Sequence, residues 1–171
     1  EVDLANLLAS AMGVELKIVQ KPFGELLGAL EDGDVDLVMS QVTATLERNR
    51  RVAFVGPYYI SGKSLLTKSS TVAAVQEAQE INQETMRIAT LKGSTGENFV
   101  GRRLPKAALT PTEDYAAAVD LLLNDQVDAF LADAPIVKLT AMRYPNAGLA
   151  VLRKPLTIEP IGIAVPPNDP L

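Results

Sequence analysis

Apolar residues recur at helical spacing over the first dozen positions of the chain and then alternate with polar residues. The first pattern predicts a helix that ends at Gly13, which suits the positive φ of a helix C-cap, and the second predicts a strand at Val14–Gln20. A further amphipathic segment over Leu26–Leu30, closed by Gly33, predicts a second helix, and Val35–Met39 predicts a second strand. Short strands separated by helices need crossover connections, so the pattern favours an α/β fold with helices on the faces of a parallel sheet.

The same alternation begins again in the second half of the chain. A strand is predicted over Ile60–Thr67, and a polar loop with a weakly helical middle over Ser70–Thr85. The other predicted elements are strands at Arg87–Leu91, Ala108–Thr110 and Val127–Leu131, and helices at Glu97–Arg103 and Tyr115–Leu123.

Two segments of the chain match each other at one constant offset. Phe23–Met39 and Tyr115–Leu131 both read as helix, polar turn, Val-Asp and buried strand, 92 residues apart (115 − 23 = 92). Any two βα units look alike to some degree, but two similar lobes are the better explanation. At this offset Gln41 takes the place of Asp133 just beyond a strand end. Ligands of open α/β sheets bind outside the carboxyl ends of strands, so both residues are candidate ligand contacts.

Composition narrows the chemistry. The chain has no Cys and no His, which excludes thiolate and imidazole metal sites, Cys/His nucleophilic catalysis and the Ser-His-Asp triad. A net charge of −5 with interspersed signs offers no cationic stripe for nucleic acid. Apolar runs are broken well before the ~20 residues that cross a bilayer. We therefore expect no catalytic residues, no metal, no cofactor and no nucleic-acid partner.

Three positions carry candidate binding chemistry, each with a simpler explanation. Asp133 follows an apolar strand and suits a helix N-cap as well as a ligand contact, and the two roles can coexist. Ser94 and Thr95 present hydroxyls at a helix start, where an anion is favoured, although a capped helix explains them equally well. Arg48 is shaped to hold a carboxylate, yet an arginine beside Arg50 is more often a solvated charge.

Eight short motifs, in order and in register over essentially the whole chain, resemble the polar amino-acid-binding proteins of bacterial ABC importers, solute-binding family three. No single motif is diagnostic. They are Asp3-Leu4-Ala5, Leu26-Leu27-x-x-Leu30, Gly33-Asp34-Val35-Asp36, Ser40-x-x-Thr43-x-Thr45-x-Glu47-Arg48, Phe54-x-x-Pro57-Tyr58-Tyr59, Lys92-Gly93-Ser94-Thr95, Val127-Asp128-Ala129 and Asp133.

The resemblance implies a two-lobed Venus-flytrap of the periplasmic binding protein-like II type, which closes around a ligand in the cleft between its lobes. Arg48 then corresponds to the residue that clamps the ligand α-carboxylate, and Asp133 to the one that accepts the α-ammonium. The remaining implied ligand-binding residues are the aromatic wall Phe23, Gln41 through its backbone, Thr43, Ser94 and Thr95.

The chain departs from the family pattern in two ways. The family's first strand should precede Glu1 and its C-terminal helices should follow Leu171, so we expect a first lobe (1–59 plus 166–171) that is incomplete at both chain ends, and a second lobe over 60–165. Such a chain is expected to borrow a strand from another copy or to be marginally stable. In addition, Gln41 stands where the family usually has Gly or Ser, so its longer side chain is expected to reshape the pocket.

The leading functional prediction is a non-enzymatic module that binds an amino acid in the periplasm or outside the cell and delivers it to the membrane permease of an ABC importer. A second hypothesis has the same fold but a different role, in which the chain is the ligand-sensing domain of a receptor or signalling protein. A third is a cyclohexadienyl dehydratase-like enzyme, because those enzymes resemble the family and use a Glu where Glu97 stands here.

Overall fold

The computed structural model describes residues 1–167. The described chain forms two compact units: unit 1 contains residues 1–59 and 160–167, and unit 2 contains residues 60–159. The return to unit 1 comes at Pro160 rather than at residue 166. Residues 168–171, which the sequence assigns to the first lobe, lie outside the described residues.

Helices and strands alternate along most of the described chain. The helices are α1 (Val2–Met12), α2 (Leu26–Glu31), α3 (Ser70–Ala73), α4 (Thr95–Arg103), α5 (Tyr115–Leu123) and α6 (Ala134–Arg143). Short 3-10 helices cover Phe23–Glu25, Arg48–Arg50 and Ala78–Ile81. The strands are β1 (Ala53–Ser61), β2 (Lys63–Thr67), β3 (Arg87–Leu91), β4 (Ala108–Thr112), β5 (Ala129–Asp133), β6 (Ala150–Val151) and β7 (Glu159–Val165).

In unit 1 the predicted helices form and the predicted strands do not. Gly13 ends α1 with a φ of 68°, as expected of a left-handed C-cap. The predicted strand Val14–Gln20 is wrong, because those residues have no regular structure, and Val35–Met39 contributes one bridge, between Val38 and Ala164. A strand is stable only when a neighbour completes its hydrogen-bond ladder, and alternation of apolar and polar residues does not show whether a neighbour exists.

Unit 2 is built on a mixed five-stranded sheet in the order β4-β3-β5-β2-β6. Strand β3 lies parallel to both β4 and β5, as βα crossovers require. Strand β2 runs antiparallel to β5 and β6, which departs from the predicted parallel sheet. It follows β1 after the single residue Gly62, so no crossover helix forces it to run parallel.

Helices and loops cover both faces of this sheet. The neighbouring residues Leu65 and Leu66 on β2 point to opposite faces and belong to two different apolar clusters, although both are fully buried. Phe130 on β5 is likewise completely buried. Unit 1 has a smaller core around Leu30, Val38 and their neighbours. Within residues 1–167, no helix combines the length and apolar character needed to cross a membrane.

Candidate ligand-binding site

In unit 1, the arginine singled out by the sequence is held in place. Arg48 begins a 3-10 helix, and its Nη1 donates a hydrogen bond of 2.9 Å to the backbone carbonyl of Thr43. Its guanidinium carbon lies 5.6 Å from the ring centroid of Phe23, a cation–π contact. Phe23 itself packs against the small core of unit 1. Arg48 is therefore half-buried and oriented by two neighbours, unlike a solvated surface charge.

Gln41 and Thr43 lie in the segment that precedes Arg48. Thr43 is buried and forms an isolated bridge with Ile161. Gln41 has a φ of 51°, a left-handed conformation that is uncommon for a residue with a side chain. Its backbone N–H donates to the carboxylate of Glu1 at 2.7 Å, and the same oxygen accepts the hydroxyl of Tyr58.

The side chain of Gln41 is the unusual feature of this segment. Its amide oxygen is buried without a hydrogen-bond partner among the described residues. A glycine would adopt the same backbone conformation without strain and would bury no amide. The longer side chain therefore leaves one buried polar atom unsatisfied, and its effect on a pocket stays a prediction.

In unit 2, the turn before α4 is a helix cap. The Oγ of Ser94 accepts the backbone N–H of Glu97 at 3.2 Å, which is an N-cap interaction. The carboxylate of Glu97 in turn accepts the backbone N–H of Gly93 at 2.6 Å. The hydroxyl of Thr95 donates to the carboxylate of Glu159 at 3.2 Å. Both predicted hydroxyls thus have partners within unit 2.

Asp133 ends β5 and occupies the N-cap position of α6, but its side chain makes no capping hydrogen bond. The carboxylate turns instead to Lys63, whose Nζ lies 3.0 Å from Oδ1 and 3.1 Å from Oδ2. The hydroxyl of Ser61 lies 3.4 Å from Oδ1. Of the two sequence interpretations of Asp133, side-chain capping is therefore not the one that the structure uses.

A buried lysine and a buried glutamate were missed by the sequence reasoning. Lys63 and Glu159 are only 2% and 8% exposed, next to Asp133 at 5%. Glu159 accepts the hydroxyl of Thr157 at 2.8 Å, and its Oε2 lies 4.0 Å from Lys63 Nζ. One signal in the sequence was available: Lys63 begins an apolar strand. A lysine buried there needs an acidic partner, because lysine is almost never fully buried unless it is paired.

Burial has the largest effect on the protonation of Asp133. It raises the pKa of the Asp133 carboxyl, and the nearby Glu159 raises it further, while Lys63 and Ser61 act in the opposite direction. The net direction is upward, because the loss of water outweighs one neighbouring ammonium. Within residues 1–167, no group of three or more acidic side chains is arranged to hold a metal ion.

Ligands of open α/β sheets bind outside the carboxyl ends of strands, which is where Asp133 lies. Residues 1–135 match the bacterial extracellular solute-binding proteins, family 3, and the chain belongs to that family. The resemblance read from the motifs is thereby confirmed.

Individual relatives are similar over most of this chain. The glutamine-binding protein GlnH of a Bacillus subtilis ABC transporter is 32% identical over 136 residues, 80% of this chain and 48% of that protein. A cyclohexadienyl dehydratase of Pseudomonas aeruginosa is 28% identical over 146 residues, 85% of this chain and 54% of the enzyme. The chain thus spans about half the length of these relatives.

A solved structure extends the likeness to the fold. A Wolinella succinogenes protein, assigned as the binding component of an ABC transporter and crystallised with lysine, superposes with a TM-score of 0.90 at 35% identity. The match covers 99% of this chain and 72% of the other. The predicted α/β fold of the two-lobed binding proteins is therefore confirmed.

Proposed function

We propose that the chain binds an amino acid, with Arg48 holding its carboxylate and Asp133 contributing to the site for its ammonium. The observation that carries the proposal is the orientation of Asp133, whose carboxylate leaves the cap of α6 and enters a buried polar cluster. A capping role would have kept it on the helix N–H groups. Relatives that bind glutamine or were crystallised with lysine support an amino acid as the ligand class.

The other predicted contacts take supporting roles in this proposal. Phe23 contacts the Arg48 guanidinium through its ring face and helps to hold it in position. The carbonyl of Thr43 holds the same guanidinium from the backbone. Ser94 and Thr95 remain proposed hydroxyl contacts, although Ser94 also caps α4 and Thr95 also donates to Glu159.

The proposal extends to transport. A family described as extracellular and a relative that belongs to an ABC transporter support a location outside the cytoplasmic membrane and a membrane permease as partner. Binding without chemistry is what this role requires.

A thermal-melt screen against the twenty amino acids tests ligand binding directly, because a ligand that binds the folded state raises the melting temperature by mass action. We expect one or a few amino acids to raise it in the wild type, and much smaller shifts in Asp133→Asn. Asp120→Asn, an exposed change on α5 in the same unit, should keep the wild-type response. No shift with any of the twenty would reject the proposal.

The dehydratase relative calls for a separate experiment. Glu97 is the residue at which the resemblance placed catalysis, and its carboxylate accepts the N–H of Gly93 within its own turn. That contact supports a structural role for Glu97 in this chain. Incubation with prephenate or arogenate should yield no phenylpyruvate or phenylalanine. Turnover that disappears in Glu97→Gln would favour the enzyme instead.

A further inference from the structure

The buried cluster in unit 2 holds two carboxylates and one ammonium. Asp133, Glu159 and Lys63 are each more than nine-tenths buried. Within residues 1–167, Lys63 and Glu159 are the charged side chains whose field acts on Asp133. If all three groups are ionised, the cluster carries one negative charge in excess, in surroundings that screen charge poorly.

The lysine is shared unequally between the carboxylates. Lys63 Nζ contacts both oxygens of Asp133, at 3.0 and 3.1 Å, but lies 4.0 Å from Glu159. The other contacts of Glu159 are the hydroxyls of Thr95, at 3.2 Å to Oε2, and Thr157, at 2.8 Å to Oε1. Hydroxyl groups stabilise a carboxylate by hydrogen bonding but do not neutralise it. Glu159 is therefore the carboxylate whose negative charge is least neutralised.

Backbone and side-chain contacts from several elements of unit 2 hold this cluster in place. Thr157 Oγ1 also accepts the backbone N–H of Lys63 at 2.9 Å, which ties the start of β2 to the segment before β7. Thr95 is the first residue of α4, so the helix start reaches the same carboxylate. Three elements of unit 2 thus converge on Glu159, and Lys63, the cation that pairs with it, stays 4.0 Å away.

We propose that Glu159 is a second carboxylate of the ammonium subsite, and that the ligand ammonium supplies the positive charge which Lys63 does not provide. This rests on the proposed function, since it assumes that the ligand is an amino acid. Lys63 already forms an ion pair with Asp133. Glu159, with the Thr95 hydroxyl beside it, is therefore the carboxylate that favours a ligand with an ammonium over a ligand without one. The excess negative charge is then offset by the ligand ammonium when the ligand binds.

The rise in the pKa of Asp133 bears on how the cluster binds protons. Burial and the charge of Glu159 both raise the pKa of the Asp133 carboxyl and so favour its protonated form. A ligand ammonium would oppose that protonation. Binding of an amino acid should then release a proton, and binding of the matching 2-hydroxy acid should not.

Isothermal titration of the full chain with each of the twenty amino acids, and with the 2-hydroxy acid that matches any binder, tests the proposal. Glu159→Gln should weaken the amino acid by about 10- to 150-fold, the loss of one charge-assisted hydrogen bond, and the hydroxy acid by much less. Glu159→Asp keeps the charge and should recover part of the affinity. Glu84→Gln, an exposed change in the same unit, should leave both affinities unchanged.

Proton release on binding gives a second measurement, one that a purely structural role of Glu159 would not affect. Titrations in two buffers of different ionisation enthalpy, at a series of pH values above the ordinary aspartate pKa of ~3.9, should show proton release by the wild type with the amino acid only. Equal weakening of both ligands in Glu159→Gln, or unchanged binding, would overturn the assignment of Glu159 while leaving the proposed function intact. An absence of binding by every amino acid would overturn both.

Discussion

At the level of single residues, two aspartates of unit 2 respond to their surroundings in opposite directions. Burial raises the pKa of Asp133, whereas the guanidinium of Arg87 lowers the pKa of the more exposed Asp128. A raised carboxyl pKa means that the contribution of Asp133 to stability falls as pH rises above ~3.9 and through the folded pKa. A protein retains such a costly group for a reason other than stability, which agrees with a role in binding.

Arg48 is the residue whose removal should most directly weaken ligand binding. Arg48→Ala removes the side chain proposed to hold the ligand carboxylate by charge-assisted hydrogen bonds, so we expect a loss of about 2 to 4 kcal/mol, or roughly 30- to 1000-fold in affinity. Isothermal titration with the amino acid identified in the melt screen measures it. Arg50→Ala, a neighbouring and exposed arginine, is the matched control and should bind normally. If both variants bind equally well, Arg48 is a structural residue that anchors its own loop.

The sequence predicted Asp133 because it follows an apolar strand, and predicted Arg48 because it lies in a motif that resembles the family. Lys63 and Glu159 were not predicted, because they come together only through a tertiary contact between strands that are 96 residues apart in the sequence (159 − 63 = 96). No local pattern reports that a lysine and a glutamate are both buried. The unsatisfied amide of Gln41 was anticipated only as a general effect of side-chain length.

At the level of elements, the junction between β1 and β2 depends on a close approach of two backbone segments. A Cβ added at Gly62 would lie 2.2 Å from the carbonyl oxygen of Thr157, with the side chain of Pro155 also closer than contact distance. The carbonyl of Gly62 meanwhile accepts the N–H of Ala134 at 2.9 Å, where α6 begins. The segment therefore has little freedom to move away from an added methyl group.

Gly62→Ala should consequently destabilise the protein by about 1 to 3 kcal/mol, the usual cost of overpacking, or by more if the backbone cannot shift. Gly101→Ala in α4 is the control, since its Cβ would meet nothing within 4 Å and alanine favours a helix by up to about 1 kcal/mol. Chemical denaturation of both variants measures the difference. A Gly62→Ala protein as stable as Gly101→Ala would show that the close approach is easily relieved.

Strands β3 and β5 are joined at one end by Arg87 and Asp128. The guanidinium donates to both carboxylate oxygens, at 3.1 and 2.8 Å, and the backbone N–H of Arg87 donates to the same group at 2.8 Å. These contacts lower the pKa of Asp128, so its stabilisation is complete above the unfolded value of ~3.9 and is lost as pH falls through the folded pKa.

Asp128→Asn should therefore lower the free energy of unfolding at pH 7, by about 1 kcal/mol or less for a pair that is partly exposed. The difference from wild type should shrink as pH falls below ~3.9. Urea titrations at a series of pH values provide the measurement, with Glu113→Gln, at the more exposed Lys92–Glu113 pair, for comparison. A deficit that does not change with pH would mean that the ion pair is not its source.

The secondary structure of unit 2 followed from the sequence more closely than that of unit 1. The strands β3 and β5 and the helix α5 lie within a few residues of their predicted positions, because each has neighbours to pack against. The matching segments agree also in burial, since Leu30 and Leu122 are both almost fully buried at the offset of 92. Residues 14–20 carry an equally clear strand pattern but lack a partner strand among the described residues.

For the molecule as a whole, apolar burial is distributed unevenly between the units. Unit 2 has apolar clusters on both faces of its sheet, whereas unit 1 has a single small one. Several large apolar side chains of unit 1 are exposed instead, including Leu7 at 68% and Ile18 at 58%. A continuous exposed apolar surface is a common cause of association between proteins.

We therefore expect the chain to self-associate through residues 2–19 as its concentration rises. The exposed side chains of Leu7, Met12 and Ile18 supply apolar area, and the backbone amides of residues 15–21 make no hydrogen bond to any part of the chain that the structure describes. Such a segment is open to strand pairing with another copy. Light scattering after size-exclusion chromatography should show a mass that increases with concentration. Ile18→Ser should reduce the increase, and Ile158→Ser, at an even more exposed isoleucine of unit 2 (82% against 58%), should not. A monomeric mass at every concentration would mean that the exposed surface of unit 1 does not drive association.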